Sequence, residues 1–217
     1  MHITKIMSRA ACVLLLVSLF SFAPAAVFSS VFEQLGLSRE EAQEDIVSSF
    51  MGGSLYNRNM SAARSIPVSA RAAVVQQIAL FAKEVVNTPA FIEAYQQERE
   101  NNKPLESDFF PENGELYPAE EQAEMRKYFK MAVQEWEQQY PQDHRLFLKQ
   151  RLREFLAVTA DVDFAAALEK HPYMNKMVFV NQEYESKPEE WKKAFRAGNE
   201  ATAAARQFAG QWLKELP

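Results

Sequence analysis

Ile66-Pro67-Val68-Ser69-Ala70-Arg71-Ala72-Ala73-Val74-Val75-Gln76-Gln77-Ile78-Ala79-Leu80-Phe81-Ala82-Lys83-Glu84-Val85-Val86 decides the fold class. Its apolar residues Val74, Val75, Ile78, Ala79, Phe81, Ala82, Val85 and Val86 recur at helical spacing and cover more than half of a helix circumference. Proline at the second position suits a first turn, where its missing N–H is not needed. Surface helices carry a narrower apolar stripe, so this segment is expected at the centre of a helical core.

The flanking segments repeat the pattern. Upstream, Ser38 and Glu41 read as a capping box with Leu37 stapling the entry, followed by Ala42, Ile46 and Phe50, and ended by Gly52 and Gly53. Downstream, Thr88-Pro89 restarts the chain, and Phe91, Ile92 and Tyr95 form a short face. Pro118 opens a long helix to about Tyr140, with a stripe of Met125, Tyr128, Phe129, Ala132, Val133, Trp136 and Tyr140. After Pro141 comes a helix carrying Leu148, Leu152, Phe155 and Leu156, then a short helix around Phe164–Leu168. The last helix is expected to be continuous to Trp212, capped by Ser186 and Glu189, with Trp191, Phe195, Gly198, Ala205, Phe208 and Trp212 on one face. Only 6 glycines occur in 217 residues, which favours helix throughout. The expected fold is all-α: a single-domain bundle of about six helices with two irregular loops.

The N-terminus carries an address. Lys5 and Arg9 precede an apolar run from Ala10 to Ala23, and Ala23-Pro24-Ala25 fits the small-x-small pattern of signal-peptidase cleavage. The run falls short of the roughly 20 apolar residues of a membrane span. The expectation is a cleaved secretory signal over residues 1–25, a mature helical domain over 26–217, and a secreted or periplasmic location without a transmembrane anchor. Cys12, the only cysteine, lies inside that signal, so the mature chain holds no disulfide and no thiolate chemistry. Taking Lys5 and Arg9 from 24 bases against 29 acids moves the net charge from −5 to −7, which argues against nucleic acid and anionic membranes as partners. One glycosylation sequon, Asn59-Met60-Ser61, is present.

Catalytic frames are missing. No G-x-S-x-G, H-E-x-x-H, G-x-x-x-x-G-K-S/T or G-x-G-x-x-G occurs, so no catalytic residue, cofactor or metal is assigned. His144 reads as a solvated residue at a helix start, and His171 as a helix-end residue near the last carbonyls. Asp161-Val162-Asp163 and Glu112-Asn113-Gly114-Glu115 lack the ligand spacing of a calcium loop.

Two long departures from helical periodicity are the expected working surface. Residues 101–118 present Phe109, Phe110 and Tyr117 among acids, and residues 171–187 present Tyr173, Phe179 and Tyr184 beside Met174 and Met177. These rings either seal the ends of the bundle or join into one recognition patch. Lys192, Lys193, Arg196 and Arg206 form the wet face of the last helix, or hold an anionic partner.

The stretch from Asp163-Phe164 through Trp191-Lys192-Lys193-Ala194-Phe195-Arg196-Ala197-Gly198 to Gln211-Trp212-Leu213 resembles uncharacterised exported bacterial all-helical proteins of no assigned activity. The likeness spans about a quarter of the chain. It implies an extracytoplasmic setting and brings no site residues. The functional expectation is a non-enzymatic binding or interaction module, its partner a protein or a small apolar ligand. The alternatives are an apolar-ligand (lipid) carrier lined by Phe81, Phe129, Phe155, Phe195 and Trp136, or a carboxylate-dependent hydrolase acting on envelope polymers.

Overall fold

The structure is a computed structural model that describes residues 31–33, 35–53, 66–110 and 116–217. The signal over 1–25, Cys12, the Asn59 sequon and Glu112 to Glu115 lie outside the described residues. The molecule is mostly helical, with one small two-stranded sheet. In chain order the elements are α1 (Arg39–Met51), α2 (Val68–Val85), α3 (Pro89–Asn101), a 3-10 turn (Glu106–Asp108), α4 (Ala119–Gln139), α5 (His144–Val158), β1 (Leu168–Lys170), β2 (Met177–Phe179), α6 (Gln182–Glu185), α7 (Glu189–Ala197) and α8 (Asn199–Trp212). The described residues thus hold nine helices, where about six were expected.

Gly198 accounts for part of the difference. Its backbone sits at φ 93° and ψ 164°, outside any helical conformation, and splits the expected last helix into α7 and α8. The buried Thr202 hydroxyl donates to the Ala194 carbonyl at 3.0 Å and fixes the corner. The expected Ser186 cap does not form: Ser186 Oγ donates to the Glu183 carbonyl, and α7, with Pro188 at its N-cap, has no side-chain cap. Nor does a helix form around Phe164–Leu168. Asp163 accepts the Ala165 N–H in a tight turn, and the Val180 N–H donates to the Ala167 carbonyl, starting the β1–β2 hairpin instead.

Where caps and periodicity agree, the expected helices appear. Ser38 and Glu41 close a reciprocal capping box on α1, at 3.1 Å and 2.7 Å. Thr88 accepts the Phe91 N–H at the start of α3, and Asp143 accepts the Arg145 N–H at the start of α5. A hydrophobic cluster joins Ile46 and Phe50 of α1, Phe81 and Val85 of α2, Phe91 and Tyr95 of α3, Phe147 and Leu152 of α5, and Trp212 of α8. Among the described helices, α2 and α8 make the most extensive contact. By contrast, α4 buries only Trp136, and Tyr128 in its expected stripe is 57% exposed.

Candidate functional site

The breadth of the apolar face of α2 is resolved by where each residue points. Phe81 and Val85 are buried in the core. Val75, Ile78, Ala79 and Ala82 are half-buried and, with Val74, line a partly enclosed cavity of about 200 Å³. The opposite wall comes from Ala201, Ala205, Phe208, Ala209 and Trp212 of α8, with Ile46 and Phe50 of α1 and Leu152 and Phe155 of α5 completing it. Alanines at three α8 positions leave room where larger residues would fill the space. A fully apolar engineered cavity of about 150 Å³ holds a benzene-sized guest, so this one is of ligand-binding size.

Few polar groups reach the wall: Asp45, Ser49, Arg71 and Arg196. Asp45 is 3% exposed. Arg71 is anchored, its Nε donating to the Ile66 carbonyl at 3.1 Å and its Nη1 to the Ala197 carbonyl at 3.3 Å. Arg71 Nη1 also lies 3.2 Å from where a Cβ on Gly198 would stand, so the glycine admits both the turn and the guanidinium. Arg196 sits on the rim, 3.6 Å from Glu189.

The carrier-type lining expected from sequence is mostly wrong. Only Phe155 reaches this cavity. Phe81 packs on Phe32, Phe129 meets Phe109 and Phe110, Phe195 packs on Phe179, and Trp136 lies under Arg99. The signal that could have found the site was the surplus: α2 is apolar over more surface than one core face needs, and α8 faces it with alanines.

The six expected recognition residues fall into separate settings. Phe109 and Phe110 are half-buried against Phe129 of α4, at centroid separations of 5.5 Å and 6.4 Å, and the half-buried Tyr117 gives its carbonyl to Gln122. Phe179 is a core residue at 5% exposure, edge-on to Trp191 and Phe195. Tyr184 stacks on Trp191, and its hydroxyl donates to Asp163 at 2.8 Å, which raises its pKa. Tyr173 alone stands out at 92% exposure. The described ring contacts join Phe179 and Tyr184 to one cluster and Phe109 and Phe110 to another.

The acids and histidines also have structural work. Asp161 accepts from Lys187 at 2.5 Å and from the Trp191 indole at 3.1 Å, and the Lys187 bond holds its carboxyl below the ordinary range. His144 is not solvated: it is half-buried, its Nε2 has no hydrogen-bond partner among the described residues, and burial lowers its pKa. His171 ends a strand, not a helix, and its Nδ1 accepts the N–H groups of Tyr173 and Met174. The basic row is not a continuous wet face. Arg206 turns inward to the Leu156 carbonyl and Thr159 Oγ1, and Lys192 lies between Glu185 and Glu189. A second depression, of about 390 Å³, sets Glu135 and Glu154 among glutamines, with Arg151 paired to Glu154 at 3.0 Å.

No group of three or more His, Cys, Asp or Glu side chains among the described residues is placed to hold a metal ion, and no helix among them is long and apolar enough to cross a membrane. Compared with known proteins, the chain matches no family model, no curated protein and no solved structure.

Proposed function

We propose that the protein is an exported, non-enzymatic binding protein whose ligand is a small apolar molecule held between α1, α2, α5 and α8. Export rests on the basic, apolar and small-residue pattern of residues 1–25, and on the resemblance of the C-terminal stretch to exported proteins. The observation that carries the ligand is the cavity itself: Val75, Ile78, Ala79 and Ala82 of α2 line it opposite Ala201, Ala205 and Ala209 of α8, with few polar groups in its wall. Apolar surface left in water forgoes about 25 cal/mol for each Å². A guest of matching shape recovers that energy without rearranging the anchored Arg71.

A hydrolase has less support. Asp45 is the one acid among the described residues of the cavity wall, whereas carboxylate chemistry on a glycan needs two. Glu135 and Glu154 are exposed, and Glu154 is paired to Arg151. A single loop-borne recognition patch is weakened because Phe179 belongs to the core.

Native mass spectrometry of the protein recovered from its own host tests the proposal. A bound small-molecule mass, or a rise in melting temperature with fatty acids or fatty alcohols, is expected. A clean apo mass with no shift from either class overturns it.

A further inference from the structure

We propose that the β1–β2 hairpin is a membrane-surface contact, its tip seating Tyr173, Met174 and Met177 in the interfacial layer of an anionic lipid bilayer, with Lys170 and Lys176 over lipid phosphates. This stands on the hairpin itself, independently of the cavity. The strands pair antiparallel, Leu168 with Phe179 and Lys170 with Met177. At the root Phe179 is clamped in the Trp191–Phe195 cluster, so the hairpin is a fixed projection. Its tip is preformed: the His171 N–H donates to the Lys176 carbonyl at 2.9 Å, and His171 Nδ1 accepts from Tyr173 and Met174 at 3.2 Å and 3.1 Å. Backbone groups bonded in this way enter a poorly hydrated layer at low cost.

Every residue from Pro172 to Met177 is exposed, with Tyr173 at 92%, Met177 at 55% and Met174 at 47%. Isolated exposed apolar residues need no explanation, but these share one projecting tip. Charge selects the occupant. From Lys170 to Gln182 the sequence holds two lysines and no acid, in a chain whose net charge is −5. Glu169 alternates onto the other face of the ladder, opposite Val178. Screening over about 8 Å at physiological salt separates the tip from more distant acids. Tyrosine favours the bilayer interface, and lysines beside it favour anionic headgroups. A narrow convex tip also offers far less than the roughly 800 Å² per partner of a stable protein interface. The overall charge argued against anionic membranes; the charge of this one projection reverses that locally.

Vesicle co-sedimentation at physiological salt, using phosphatidylcholine with and without phosphatidylglycerol, tests the assignment. Wild type and variants share one N-terminus, so their difference reports on the hairpin alone. Wild type is expected to bind the phosphatidylglycerol vesicles. Tyr173→Ser with Met174→Ser should reduce that partition about tenfold or more, as loss of inserted apolar area does. Lys170→Gln with Lys176→Gln should abolish the preference for phosphatidylglycerol. Thermal midpoints of both variants should match wild type, because the replaced side chains are exposed; a lowered midpoint with full partition counts against the proposal. Equal partition of wild type and the double serine variant overturns it, as does no wild-type binding. So does loss of a protein partner from envelope extract with vesicle binding unchanged, which would make the hairpin a protein contact.

Discussion

Arg99 and Trp136 hold each other from both sides. The guanidinium lies 3.9 Å from the indole ring centroid, while the indole N–H donates to the Arg99 carbonyl at 2.9 Å. Arg99 Nε then donates to the Tyr140 carbonyl at 2.9 Å. These contacts fasten the C-terminal end of α4 to α3, and Trp136 is the residue that α4 buries. Arg99→Ala should cost about 1–3 kcal/mol, from a lost cation–π contact and an unpaired Tyr140 carbonyl. Trp136→Phe keeps the ring but loses the donor, at about 1–2 kcal/mol. Urea midpoints of the single and double variants should be non-additive; additive losses would show that the two residues do not act together.

Phe179 and Phe109 should respond differently to truncation. Phe179 is buried among Trp191, Phe195 and Tyr184, so Phe179→Ala should cost about 3–5 kcal/mol, as large-to-small core changes do. Phe109 is half-buried beside Phe129 on a helix that packs lightly, and Phe109→Ala should cost less than half as much. Equal losses in a denaturant melt would contradict the difference in burial described above.

Local signals were readable in the sequence where one short-range contact decides the outcome. Ser38 with Glu41 and Thr88 with Pro89 each cap a helix as expected, because a cap lies within three residues of its target. Ser186 with Glu189 matched the same motif, yet Ser186 bonds back to Glu183 because α6 occupies the preceding turn. Gly198 fits the helical period as a small residue, but it takes a positive φ and lies beside Arg71 of α2, far away in sequence. The cavity was hidden for a related reason. Periodicity says that Ile78 and Ala79 face inward, but not whether the facing helix supplies leucines or, as α8 does, alanines.

Acidity should weaken the fold in two steps set by neighbouring residues. Burial lowers the His144 pKa, so the unfolded chain takes up the proton first. Stability should therefore be complete above about pH 6.5 and decline as pH falls through that value toward the lower folded pKa. His144→Gln should flatten this step. Asp143 is held down to about 2 by its hydrogen bonds with Arg145. Its contribution should persist above about pH 4 and disappear between there and about pH 2, as the folded carboxylate is protonated. Denaturant midpoints from pH 7.5 to about pH 2 check both steps, and an unchanged upper step in His144→Gln would remove the histidine from the account.

Replacing Gly198 with alanine tests the corner between α7 and α8. At φ 93° an alanine is strained, and its Cβ would lie 3.2 Å from Arg71 Nη1. Gly198→Ala should cost about 1–3 kcal/mol. If the added methyl also displaces Arg71 from the Ala197 carbonyl, a rim contact of the cavity is lost with it. Arg71→Lys in the same background should then add little further loss. A full additional loss would show that the glycine and the arginine act separately.

Filling the cavity separates its role in binding from its role in folding. Ala205 lies on the α8 wall facing the half-buried face of α2, beside open volume. Ala205→Leu places new apolar atoms in that space, whereas in a filled core the same change would overpack and cost about 1–3 kcal/mol. The expected result is an apo melting temperature at or above that of wild type, because a void is closed. The melting shift produced by a fatty acid or alcohol should disappear in the same variant. Ala72→Leu, elsewhere on α2 and off the cavity wall, should leave the ligand shift intact. A ligand shift that survives in Ala205→Leu while the fold melts normally would place the apolar guest outside this cavity.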